Sequence, residues 1–154
     1  MIRVQEEPFN AADELAKIKS GNTGIGATCV FLGTVREMSG GDKLSAMTLE
    51  HYPGMTEAAL AEIDEQANAR WPLEASLIVH RYGRMEPGED IVLVITCSSH
   101  RQAAFEAAEF LMDWLKTKAP FWKLEEGSKG GQWVDARESD DEAAARWAVE
   151  PDEV

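Results

Sequence analysis

Three ammonium groups, a proline and two aromatic rings crowd into Lys116-Thr117-Lys118-Ala119-Pro120-Phe121-Trp122-Lys123, in a chain of 154 residues with a formal net charge of −13. Amines held this close attract an anion. An amine partly withdrawn from water also gives up its charge more readily, which suits it to act as acid, base or nucleophile. From His100 to Arg137 six basic residues balance six acidic ones, so the whole net charge lies outside that stretch. Against an acidic background, such a basic focus favours an anionic partner.

The lysines need elements to hold them. Phe105, Ala108, Met112 and Lys116 recur at helical spacing, so Lys116 closes an apolar stripe near the end of a helix that Pro120 stops. Two readings of Lys116 stay open: methylenes laid on the core edge with the ammonium in water, or an amine facing a pocket. Lys123 follows the stiff connection Pro120-Phe121-Trp122, and two readings stay open for it as well: a surface lysine beside a core aromatic pair, or an amine facing the same pocket as Lys116. At the other end of the helix, Ser99 and Gln102 fit a capping box. His100 and Arg101 fall in its first turn, where free N–H groups and the positive dipole end attract anions. Arg101 could hold phosphate with two donors. Yet the two ends lie roughly 24 Å apart along the helix axis, too far for one small ligand. Either they serve separate sites or a second protomer completes one of them.

Composition removes several function classes. Nonspecific attraction to nucleic acid or to an anionic membrane needs a broad basic surface, which this charge excludes. With no uninterrupted apolar run of about 18 residues and no secretory signal pattern at Met1, the reading is a cytoplasmic protein. Cys29 and Cys97 each sit inside an apolar run, as core thiols do. Three scattered histidines give little support to a metal cage. The glycines at 21, 24 and 26 lack both the phosphate-loop lysine and the full dinucleotide fingerprint.

Along the chain, the pattern predicts a helix over 11–19 and a strand from Gly26 through Leu32 towards Arg36, buried on both faces. A turn at Ser39-Gly40-Gly41-Asp42 precedes a strand over 44–51, and an amphipathic helix covers 56–71. Strands over 76–82 and 90–97 are joined across Glu86-Pro87-Gly88-Glu89. Then come the long helix to Lys118, a short strand at Trp133-Val134, and a last helix capped by Ser139. Hairpins mixed with helices predict an α+β fold with a mixed, largely antiparallel sheet and flanking helices. Residues 1–149 are read as a single domain, and 150–154 as an acidic tail.

Six segments taken together resemble the catalytic (large) subunits of molybdopterin synthases, the MoaE family. They are Phe31-Leu32-Gly33-Thr34-Val35-Arg36, Leu49-Glu50-His51-Tyr52-Pro53-Gly54-Met55, His80-Arg81-Tyr82-Gly83, Ser99-His100-Arg101, the Lys116 to Lys123 block, and Trp133-Val134-Asp135-Ala136-Arg137-Glu138. The resemblance implies an α/β hammerhead fold and a homodimer of large subunits. Each would dock a small ubiquitin-like sulfur carrier, giving a heterotetramer. The carrier's C-terminal Gly-Gly thiocarboxylate would pass sulfur to cyclic pyranopterin monophosphate, and two transfers would build the dithiolene of molybdopterin. No metal or other cofactor is implied for that step. The resemblance makes Lys116 and Lys123 the catalytic candidates. It assigns substrate contacts to Thr34, Val35, Arg36, His100, Arg101, Leu124, Glu125 and Arg137 besides the two lysines.

Overall fold

The structure, a computed structural model, describes residues 1–128, 130–135 and 138–148. In chain order it contains β1 (Ile2–Gln5), α1 (Ala11–Lys19), β2 (Ala27–Thr34), β3 (Met38–Ser39), β4 (Asp42–Lys43), β5 (Ala46–His51), α2 (Met55–Arg70), β6 (Leu73–Arg81), β7 (Gly83–Met85), β8 (Asp90–Ser98), α3 (Arg101–Lys118), β9 (Phe121–Gly127), β10 (Gly130–Val134) and α4 (Glu138–Ala145). A 3-10 turn at Arg146–Ala148 follows. The expected tail and the candidate Arg137 lie outside the described residues.

Two four-stranded sheets organise these elements. The first has the order β1-β6-β8-β2 and the second β10-β9-β5-β7. Only β1 and β6 run parallel; every other described pairing is antiparallel. The α+β class with mostly antiparallel pairing is therefore observed.

Strand alternation explains the layering of the first sheet. Leu77, Val79, Leu93, Ile95 and Cys97 point to one face, where Leu15 and Ile18 of α1 cover them. Ile78, Val92 and Val94 point to the other, against Leu60, Ile63 and Ala67 of α2 and Phe110, Leu111 and Leu115 of α3. Burying a side chain of this size contributes on the order of 2 kcal/mol. The hydroxyls inside are satisfied: Thr96 Oγ1 donates to the Ala104 carbonyl at 2.6 Å, and Ser98 Oγ to that of Pro72 at 2.8 Å.

A glycine corner links the two sheets. Gly83, at φ 90°, turns the chain between β6 and β7, which a side chain would oppose. β7 thus leaves the first sheet to pair with β5 in the second.

Several local expectations give way. β2 is not buried on both faces: it is an edge strand, and Val30, Phe31 and Leu32 are 42%, 40% and 41% exposed. The capping box at Ser99 does not form, because α3 starts one residue later than that box requires; His100 is the N-cap, without a side-chain cap bond, and Gln102 Nε2 instead donates to Glu106 Oε1 at 3.0 Å. Ser139 likewise lies inside α4 rather than ahead of it. Phe105 is 62% exposed, so the stripe leading to Lys116 leaves the core at its N-terminal end. The segment after Pro120 is the strand β9, hydrogen-bonded on both sides, rather than a bare connection.

Candidate active site

A cavity of about 360 Å³ opens where the C-terminal half of α3 meets the end of β2 and the second sheet. Its first wall depends on a bulge. β2 pairs with β8 in register down to Gly33 opposite Val92, then slips so that Thr34 faces Asp90, a device that re-aims the following residues. Gly33 permits the approach, since a Cβ there would stand 2.6 Å from Val92 Cγ1. Thr34 Oγ1 donates to Asp90 Oδ1 at 3.0 Å. Val35 exchanges backbone bonds with the Gly88-Glu89 turn at 2.8 and 2.9 Å and is buried with Met47, Leu49 and Met85. With its neighbours fixed, Arg36 is carried to the cavity lining.

β9 forms the second wall. Its period of two sends Phe121, Lys123 and Glu125 to the cavity, while Trp122, Leu124 and Glu126 are not in the lining. Leu124, a candidate on sequence, sits on the opposite face of the strand, where a Cβ on Gly131 would lie 3.5 Å from its Cδ1. Its place one residue from Lys123 separates it from the site.

α3 supplies the third wall through Met112, Leu115 and Lys116, and Asp140 of α4 stands at the margin. Lys116 and Lys123 therefore line one cavity, and Lys116 lies at the helix end where the dipole favours a cation. Lys123 Nζ is 3.3 Å from Glu125 Oε1, whose side chain is only 14% exposed. Lys118 is turned elsewhere, 3.3 Å from Glu62 Oε1 and 4.8 Å above the Trp114 ring.

His80, quoted in the sequence but given no role there, belongs to the lining. It is 5% exposed, and its ring stacks on Phe121 with centroids 3.8 Å apart at 18°. Nδ1 lies 2.8 Å from the Arg81 carbonyl oxygen. Burial lowers its pKa from the ordinary value to about 4; the Arg81 bond opposes that shift, and the charges of Lys116 and His51 add to it. The imidazole is thus neutral near pH 7. Only its place on the buried face of β6, beside Ile78, was available in the sequence as a signal.

The arrangement sets three cations, Arg36, Lys116 and Lys123, and three carboxylates, Glu125, Asp135 and Asp140, in one chamber with a neutral imidazole in its wall. It can hold an anion and move protons beside it. His100 and Arg101 do not join it: both are exposed, at the far end of α3. Among the described residues no cluster of three His, Cys, Asp or Glu side chains is placed to hold a metal ion.

A model of the MoaE protein family matches residues 4–118. The chain is 53% identical over 146 residues to the molybdopterin synthase catalytic subunit of Pseudomonas aeruginosa, covering 95% of this chain and 97% of that one. Among solved structures, a MoaE protein from Burkholderia ambifaria superposes with a TM-score of 0.82 at 51% identity, covering 97% of this chain and 99% of that one. A molybdopterin synthase from Staphylococcus aureus gives 0.78 at 33% identity, over 86% of this chain and 95% of that one. The MoaE family is therefore the one to which this chain belongs.

Proposed function

We propose that the chain acts as a molybdopterin synthase catalytic subunit, moving sulfur from the thiocarboxylated Gly-Gly tail of a small ubiquitin-like carrier to cyclic pyranopterin monophosphate. The observation that carries this is the meeting of Lys116, Lys123 and Arg36 on one cavity. Each transfer turns a carrier thiocarboxylate into a carboxylate. Sulfur forms a carbon–sulfur bond to the pterin side chain as a carbon–oxygen bond there breaks, and water then cleaves the acyl carbon–sulfur bond, its oxygen staying on the carrier as carboxylate and its proton going to the departing thiolate. Lys116 stands by the incoming tail for proton transfer and for stabilising the departing carboxylate. Lys123, with Glu125 at its side, serves the pterin and its opening cyclic phosphate. Thr34 and Val35 hold Arg36 in place for the substrate's anionic groups.

A homodimer within a heterotetramer is part of this reading. Val30, Phe31 and Leu32 lie exposed on an edge strand, where a second copy would bury them. Sharing the site between copies gives His100, Arg101 and Arg137 a role as phosphate or pterin contacts for the neighbouring cavity. A cytoplasmic setting suits Cys29 and Cys97, both free thiols. No described helix is long and apolar enough to cross a membrane.

The test is to mix the protein with thiocarboxylated carrier and cyclic pyranopterin monophosphate and to assay dithiolene product. Wild type should form product, and Lys116→Ala and Lys123→Ala should each lose most of it. Full product from both variants would remove the lysine roles. Carrier docking without product from folded wild type would leave a binding module rather than an enzyme.

A further inference from the structure

We infer that His80 is the neutral acceptor in this pocket, taking a hydrogen bond at Nε2 from an N–H or O–H group of the pterin substrate. This deepens the sulfur-transfer reading and rests on it for the identity of the ligand. The first step is the tautomer. A carbonyl oxygen can only accept, so the 2.8 Å contact with Arg81 places the ring proton on Nδ1. Nε2 therefore keeps its lone pair. The ring stacks on Phe121 with centroids 3.8 Å apart, and its hydrogen bond among the described residues is the one at Nδ1, which leaves Nε2 to the cavity.

The residue is 5% exposed and lines the cavity, which leaves an acceptor at the wall with the cavity's contents as its partner. A ligand that seals this acceptor from water without matching it costs about 1–3 kcal/mol, so a ligand with a donor there is favoured over one without. The environment fixes the sign of the preference. Burial, reinforced by the Lys116 ammonium, opposes protonation of the ring. It thus offers nothing to phosphate or thiocarboxylate, which belong to Arg36, Lys116 and Lys123. The cavity sorts its ligand: anionic groups to the cations, a neutral donor edge to His80. The Phe121 stack and the Arg81 bond hold the ring in the plane that this requires.

Two side chains separate the acceptor from the anchor. In His80→Asn an amide sits near the Nδ1 position and nothing replaces Nε2, whereas in His80→Gln an amide oxygen can reach the Nε2 position. Steady-state assays with thiocarboxylated carrier should show KM for cyclic pyranopterin monophosphate raised about tenfold in His80→Asn. Its kcat should be little changed, and His80→Gln should recover most of the loss. The wild-type protein provides a readout independent of folding in any variant. Its 15N spectrum should show His80 as the Nδ1–H tautomer, with Nε2 shifting when cyclic pyranopterin monophosphate binds. An Nε2 resonance unmoved at saturation, or an unchanged KM in His80→Asn, overturns the inference. Wild type that binds the pterin with the Nε2 shift but forms no dithiolene overturns the sulfur-transfer reading instead.

Discussion

The two ends of α3 carry basic residues under opposite conditions. At the C-terminal end the dipole favours Lys116, and β2, β6 and β9 of the same chain close a cavity around it. At the N-terminal end His100 and Arg101 face the positive dipole end, with no acidic residue in the first turn and no side-chain cap. That placement is locally unfavourable by roughly 0.3–1 kcal/mol. At one end a single chain walls a cavity around the cation, whereas at the other no ion pair to Arg101 forms among the described residues.

The largest test of this contrast is Lys116→Ala, expected to lower dithiolene formation roughly a thousandfold while leaving carrier docking intact. A loss of less than about tenfold would put Lys116 among ordinary surface lysines. Next in size is a complementation assay. Arg101→Ala should be severely impaired alone, yet mixing it with Lys116→Ala under conditions of subunit exchange should restore about a quarter of wild-type activity, because mixed dimers regain one intact shared site. No recovery would make each site wholly intramolecular and leave the N-terminal end of α3 with a separate purpose.

The walled end also carries a cost that pH reveals. Unfolded histidine titrates near 6.5, whereas folded His80 does so at about 4. Above pH 6.5 both states are neutral, so nothing is lost. As pH falls through that value the unfolded chain takes up the proton and the native chain does not. Stability should therefore drop by on the order of 3 kcal/mol until about pH 4, where the native state also protonates. Urea titrations of wild type and His80→Phe across this range should differ by that slope; parallel curves would contradict a buried neutral ring. The smallest effect belongs to Lys118→Ala, two residues from Lys116. Its ion pair with Glu62 is solvated, so stability should change by under about 1 kcal/mol, with activity unaltered.

Much of this was legible in the chain. The helical spacing behind Lys116, the apolar alternation around Leu77 to His80 and the breaker at Pro120 each reflect local chemistry, and local chemistry decided those elements. Where long-range pairing decided, local cues misled. Residues 121–127 offer an aromatic and charged run that becomes strand only because β5 and β10 lie on either side. Leu124 stood next to Lys123 in sequence and across the strand from it in space. His80 passed as one more strand residue, since its tautomer and burial depend on the Arg81 carbonyl and the Phe121 ring arriving from the fold.

The cavity lining is drawn from β2, β3, β5, β6, β8, α3, β9, β10 and α4, segments separated by about a hundred residues at the extremes. No partly opened form that releases one of them keeps the chamber whole. Substrate occupancy is therefore coupled to the entire cooperative unit rather than to a loop. In amide exchange, a bound pterin should slow the deepest protons of β6 and β8 along with those beside it, so protection in the centre of the first sheet becomes a remote gauge of occupancy.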